Sequence, residues 1–305
     1  MTSESQSWPE SLDVFFGELN FARAAVYVRW NHAAQVIAQL EIDSSPLTLA
    51  GVVRGPRNRH ARQLSAAYTL TDLGPGPTLL ARAMITDPCL WSPESPAAYD
   101  LTIELKRGER TIAQASRQIG LRSLAVVGRR FLWQGNNWVL RGAARQVEEL
   151  SREFTGALVC RQETASDQLL QAASVEGVFL LVMIDGDNGI VDSQAIRRLA
   201  SWPAVAGIIL SGDATVSREA LRRLAPNLLF GRFAVEGEIA PWSDQPQFII
   251  AHVKSPESFA AWGERLSVPL IAWRVAECNQ EAIRGECDRL QRDLAPFGQF
   301  AGYVV

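Results

Sequence analysis

The chain has 305 residues, 47% apolar and 21% charged, which is ordinary globular composition and long enough for two domains with separate cores. A net charge of −3 and a pI near 5.8 leave no basic excess for nucleic acid or an anionic membrane. No apolar run approaches the roughly 18 residues that span a bilayer, and Met1 to Glu10 is polar and acidic, unlike a secretion signal.

The two halves of the chain differ in hydrophobic period. From about residue 24 to 121 the pattern alternates and is broken by turns. Strands are predicted at 25–30, 35–42, 65–70, 78–85, 99–105 and 111–118. Between them stand Ser44-Ser45-Pro46, Gly55-Pro56, Gly74-Pro75-Gly76-Pro77 and Arg107-Gly108-Glu109. Short strands with such turns indicate an antiparallel sandwich. From about residue 138 the pattern becomes strand, helix, strand. Nearly continuous apolar runs predict strands at 138–142, 157–161, 178–184, 205–210, 228–233, 248–253, 269–274 and 300–305. Amphipathic helices are predicted at 165–176, 193–202, 217–225, 255–266 and 279–294, with Ser193, Ser217 and Ser255 at N-capping positions. The connection 236–245 is too polar and Pro-broken for a full helix.

Eight strands alternating with helices predict a compact (β/α)₈ barrel, with a doubly wound open sheet as the alternative. The segment has about 170 residues, below the usual ~200 for this fold, and no helix follows the eighth strand. The expected architecture is therefore a β-sandwich over 1–122 and an α/β barrel over 123–305. Cys89, Cys160, Cys278 and Cys287 form no close pair, and His32, His60 and His252 are the only histidines. Neither a metal site nor a cofactor is expected, and the thiols read as reduced in a cytoplasmic protein.

Three stretches carry a family resemblance. Asp87-Pro88-Cys89-Leu90-Trp91-Ser92-Pro93-Glu94-Ser95-Pro96, continued through Tyr99 and Leu101, is similar to an LWSPExPxLYxL signature. Ile119-Gly120-Leu121-Arg122, Gly128 to Gly135 and Leu140-Arg141-Gly142 follow at the matching spacing. Trp202-Pro203-Ala204-Val205 through Ser211-Gly212-Asp213 resembles an HPSVIMWSLGNE passage around a fourth barrel strand. All three resemble glycoside hydrolase family 2, the β-galactosidase, β-glucuronidase and β-mannosidase group. The resemblance implies an immunoglobulin-like sandwich followed by a TIM barrel, without the family's usual N-terminal sugar-binding sandwich.

It also implies where catalysis would sit. A retaining glycosidase needs two carboxyl groups about 5–5.5 Å apart, one as acid/base and one as nucleophile. Laid on the family, the acid/base position holds Asp213, one methylene shorter than glutamate. The nucleophile position falls on Arg274, whose protonated guanidinium offers no nucleophile; Glu277 lies three residues further on. The family's Asn and His after the first strand are Ala144 and Gln146. Arg161 keeps the arginine after the second strand, where the neighbouring histidine is lost. Two guanidiniums, Arg161 and Arg274, would repel at one barrel mouth, so Asp185, Asp187, Asp213 and Glu236 are expected to compensate them. Arg141, Arg161, Asp185, Arg232, Trp242 and Trp273 complete the candidate binding set, the tryptophans as sugar-stacking surfaces or as core. Asp185-Gly186-Asp187-Asn188-Gly189 looks like the start of a calcium loop, but position twelve is Ile196 and the glycine falls at position five, so it reads as a barrel-mouth turn.

Three functions remain open on these residues. The first is a glycosidase-derived pseudoenzyme that binds carbohydrate or a partner protein. The second is a working glycoside hydrolase with Asp213 as acid. The third is a structural or interaction subunit, a homodimer or a complex with another protein, docking through the barrel end that lacks an eighth helix.

Overall fold

The computed structural model describes residues 12–30, 45–74, 76, 78–144, 150, 156–186, 191–212, 216–235, 246–255, 257, 266–276 and 282–305. The expected strand at 35–42 and most of the expected helix at 255–266 lie outside these residues. So do Asp187, Asp213, Glu236, Trp242 and Glu277. Two compact units share the chain. One is Met1–Arg122 with Gln194–Pro203 and Leu224–Asn227; the other is Ser123–Ser193 with Ala204–Arg223 and Leu228–Val305.

Among the described residues the first unit carries seven antiparallel strands: β1 (Leu12–Gly17), β2 (Arg23–Trp30), β3 (Leu47–Arg57), β4 (Ala66–Asp72), β5 (Leu79–Thr86), β6 (Ala98–Arg107) and β7 (Arg110–Ile119). Their order is β1-β2-β5-β4-β3-β6-β7. β4 changes partner along its length: residues 66–70 pair with β3, whereas Thr71 and Asp72 pair with β5. The sheet therefore turns over on itself, and both halves contribute to one core, with Val26, Val28 and Ile85 from one side and Leu49, Val53, Leu101 and Ile103 from the other. Alternation drives this. In β5, Leu79, Ala81, Ala83 and Ile85 are buried while Arg82, Met84 and Thr86 are exposed.

β3 departs from the expected pattern. Gly55-Pro56, read from sequence as a turn, lies inside the strand. A register shift between Arg54 and Arg57 accommodates the missing proline N–H. β1 was also not expected. Its ladder is extended by a side chain, since Phe16 N–H donates to Asn227 Oδ1 (3.0 Å) and Asn227 Nδ2 donates to the Val14 carbonyl (2.8 Å). Trp91, wholly buried, donates its backbone N–H to the Leu121 carbonyl at 2.8 Å, and Cys89 N–H donates to the Tyr99 hydroxyl, also at 2.8 Å. The Arg122 guanidinium, in the same unit, donates to the carbonyls of Trp202, Pro203 and Asn227.

The second unit begins with a small antiparallel sheet, β8 (Leu124–Val127), β9 (Arg130–Trp133) and β10 (Asn136–Trp138). Eight parallel strands then close into a barrel in chain order: β11 (Leu140–Ala144), β12 (Ala157–Arg161), β13 (Phe179–Asp185), β14 (Val205–Ser211), β15 (Leu229–Ala234), β16 (Phe248–His252), β17 (Leu270–Trp273) and β18 (Gly302–Val304). Closure is made by β18 pairing with both β17 and β11. The open-sheet alternative is thereby excluded.

Among the described residues, four α-helices follow strands: α1 (Asp167–Glu176), α2 (Ser193–Ala200), α3 (Arg218–Leu224) and α4 (Ile283–Leu294). Ser217 caps α3 by accepting from Ala220 N–H at 3.1 Å. Ser193 is instead the first residue of α2. The cap of α1 is Ser166, whose Oγ accepts from Leu169 N–H at 3.2 Å, and the helix ends on Gly177 at φ 81°. Among the described residues no helix is long and apolar enough to cross a membrane.

Aromatic rings from the small sheet close one end of the barrel. Phe131 lies edge-on to Phe248 (5.8 Å between centroids), while Trp133 and Trp138 pack on Phe179 at 4.9 and 5.3 Å. Phe179 and Phe248 open their strands, so this is the N-terminal end. The other end, where the strands finish, is left as the rim on which a site can form.

Candidate functional site at the barrel rim

Side chains on neighbouring parallel strands point the same way when they share a register row, and they alternate along each strand. Leu181, on the adjacent strand β13, and Phe248, on β16 two strands away, both approach the Cβ position of Gly207, so their rows face the barrel interior. Following the pairing rows places Arg161, Asp185, Ser211, Phe233, His252 and Trp273 on that interior side, at or near the rim.

Two groups form there. Arg161 Nη1 donates to Asp185 Oδ2 at 2.7 Å, and Ser211 Oγ donates to Asp185 Oδ1. Both carboxylate oxygens are thus engaged. The Arg161 and Asp185 side chains are 62% and 48% exposed, so the pair is screened and contributes at most about 1 kcal/mol. Its use is positional: it fixes where a charge and a donor stand. Across the rim, Trp273 meets Phe233 at 5.3 Å and His252 at 5.7 Å, both edge-to-face. The Trp273 indole Nε1 is buried and has no partner among the described residues. An apolar ring and a charged pair thus stand on the same interior side near the strand ends, chemistry suited to a polar ligand with one apolar face.

The other expected residues lie elsewhere. Arg141 and Arg232 occupy the opposite parity. Arg141 Nε donates to Asp288 Oδ1 (2.9 Å) and its Nη2 to Gln291 Oε1 (2.8 Å), both on α4. Arg274 Nη1 donates to Asp293 Oδ2, also on α4, at 2.8 Å. Arg232 has Leu210 and Ile249 as its row neighbours. Arg161 and Arg274, expected as repelling neighbours, are therefore separated by the barrel wall. Ser211, Phe233 and His252, absent from the sequence-derived set, belong to the rim. Their one sequence signal is position, because each stands at or near the end of a predicted strand. Among the described residues no group of three or more His, Cys, Asp or Glu could hold a metal ion.

Cys160 precedes Arg161 on β12, and burial pushes its thiol up to about 12 from the usual 9.0. The folded state keeps the proton where the unfolded chain releases it. The resulting stability is fully present below about pH 9 and is lost as pH rises towards 12. Urea titrations of wild type should therefore lose stability with pH over this window by up to about 1.4 kcal/mol per pH unit more than those of Cys160→Ala. Parallel curves would show that Cys160 is not shielded.

Residues 23–122 match the family model of the glycosyl hydrolases family 2. No protein of curated description matches the sequence. Three solved structures illustrate the structural likeness. A calcium-binding mutant of Bacteroides uniformis β-glucuronidase 2 superimposes with a TM-score of 0.63 at 11% identity, over 96% of this chain and 45% of that one. For the β-glucuronidase of Parabacteroides merdae the values are 0.58, 13%, 96% and 47%. For the β-D-glucuronidase of Dictyoglomus thermophilum they are 0.57, 14%, 96% and 61%. The chain thus spans about half the length of the solved enzymes it matches. At these identities the likeness concerns the fold, whereas the sequence match concerns the first unit: residues 23–122 match the family 2 glycosyl hydrolases, and the chain shares its fold with about half of each of these structures.

Proposed function

We propose that this chain is a glycosidase-derived binding protein that no longer cleaves glycosidic bonds. The observation that carries this reading is the end of β17. Arg274, on which the family resemblance places the nucleophilic glutamate, is a cation tied to Asp293 outside the barrel wall, and Trp273 takes the inward position. A covalent glycosyl intermediate needs a carboxylate on that strand, about 5–5.5 Å from the acid. Asp185, the carboxylate among the described rim residues, already accepts from Arg161 and Ser211. Asp213, two residues beyond the end of β14, would then be an acid without a partner nucleophile.

The folds fit this descent. The order β1-β2-β5-β4 beside β3-β6-β7 is that of a seven-stranded immunoglobulin-type sandwich. Eight parallel strands with intervening helices fit a reduced (β/α)₈ barrel. On this reading the ligand is a carbohydrate whose apolar face stacks on Trp273 while its hydroxyls meet Arg161, Asp185 and Ser211, in a cytoplasmic protein with reduced thiols.

A panel of aryl β-glycosides tests the proposal with wild type beside Asp213→Asn. Hydrolysis no faster than in buffer is expected for both. Turnover by wild type that Asp213→Asn abolishes would overturn the proposal and make Asp213 the acid of a working glycosidase.

A further inference from the structure

The second unit holds another concavity, away from the rim. It is a pocket of about 410 Å³, well within the range of small-molecule sites, beside the small sheet that closes the N-terminal end of the barrel. Trp138, Phe300 and Tyr303 supply aromatic walls, and Arg129, Arg130 and Gln291 stand among its polar lining.

The charged groups of the lining are both cations, and Asn137, Gln291 and Gln299 add side-chain amides. Arg129 and Arg130, at the turn between β8 and β9, are exposed and have no ion-pair partner among the described residues. Among the described residues no carboxylate lines the pocket. Gln291 Oε1 is occupied by Arg141 Nη2, which leaves the Gln291 amide N–H groups free to donate. Burial raises the Tyr303 phenol above its usual range, so it persists as an O–H donor. Phe300 and Tyr303 lie 6.0 Å apart at 46°, with Trp138 on the same cavity. Donors set around flat apolar walls select an acceptor-rich anion on a flat apolar body.

We infer that this pocket, at the opposite end of the barrel from the rim, binds a small aromatic carboxylate, its ring between the Trp138, Phe300 and Tyr303 walls and its carboxylate on Arg129 and Arg130. The site uses none of the rim residues, so it stands whether or not the rim binds a sugar.

Titration calorimetry of the full chain with 2-naphthoate and with 2-naphthamide, its uncharged counterpart of equal shape, tests this. The amide should bind at least about tenfold more weakly than the acid, the usual scale for losing a charge-assisted contact. Arg129→Gln/Arg130→Gln should bring the acid down to the affinity of the amide. Ala295→Trp, which fills the cavity from an exposed position, should abolish binding of both probes. Unchanged thermal midpoints would show that these surface variants fold. Absence of naphthoate binding, equal binding of acid and amide, or binding indifferent to either variant would overturn the inference.

Discussion

Gly142→Ala is expected to destabilise the protein by at least about 3 kcal/mol, the upper range for a single added methyl group. A Cβ at this position would stand 2.2 Å from the Ala157 carbonyl oxygen and 3.0 Å from its carbon. Those atoms are backbone of β12, held in register with β11 by the pairing of Gly142 with Ala157. They cannot rotate away as a side chain would, so relief requires parting two strands of a closed barrel. The Gly142 carbonyl also accepts from Val305 N–H at 3.1 Å, so movement of β11 disturbs its other neighbour as well. The same substitution at Gly285 should have the opposite sign. Gly285 lies exposed inside α4 with nothing within 4 Å of its Cβ position, and alanine there should stabilise by about 0.5–1 kcal/mol. Urea midpoints of the two variants read both effects; a neutral Gly142→Ala would mean that the barrel wall yields far more easily than closed-barrel geometry implies.

Arg122→Met should cost about 3 kcal/mol. Arg122 is half-buried, and desolvation with no carboxylate beside it pushes the guanidinium down to about 9, so it is still charged at neutral pH. Its hydrogen bonds go to the backbone carbonyls of Trp202, Pro203 and Asn227. Two of these lie just past the end of α2, where helix carbonyls accumulate negative partial charge that favours a cation. Methionine matches much of the volume and removes the desolvated charge, which is a gain. It also leaves three part-buried carbonyl acceptors without this donor, each costing up to about 1–3 kcal/mol, and the loss outweighs the gain. Arg122→Lys, which keeps the charge and fewer donors, should fall between. A urea midpoint for Arg122→Met equal to wild type would show that water replaces the guanidinium at no cost.

The barrel strands were readable because strands buried on both faces form apolar runs with sharp ends; the predicted 157–161 and 205–210 correspond to β12 and β14 with little error. That same property hides orientation. A run such as Leu270-Ile271-Ala272-Trp273 carries no polar alternation to say which residues face inward, so Trp273 and Arg274 were distinguishable only once pairing rows were known. Arg161 and Asp185 end neighbouring strands, a position legible in the sequence, and they form an ion pair there. β3 was lost to Gly55-Pro56, a dipeptide that makes a turn in most settings and here sits at a register shift. Ser166 and Ser193 show the limit for helix starts, since capping depends on backbone angles one residue either side of the boundary and not on the presence of serine.

The barrel is shut by β18 lying between β17 and β11. The strands that meet at this seam, β11 and β18, are about 160 residues apart in the chain. On a ribosome adding about 5–20 residues per second, β11 waits roughly 10–30 seconds with one edge unsatisfied before its partner exists. Folding of this unit during synthesis is therefore a late, single event, and the nascent chain presents a bare parallel edge for chaperones or for other nascent copies throughout that interval.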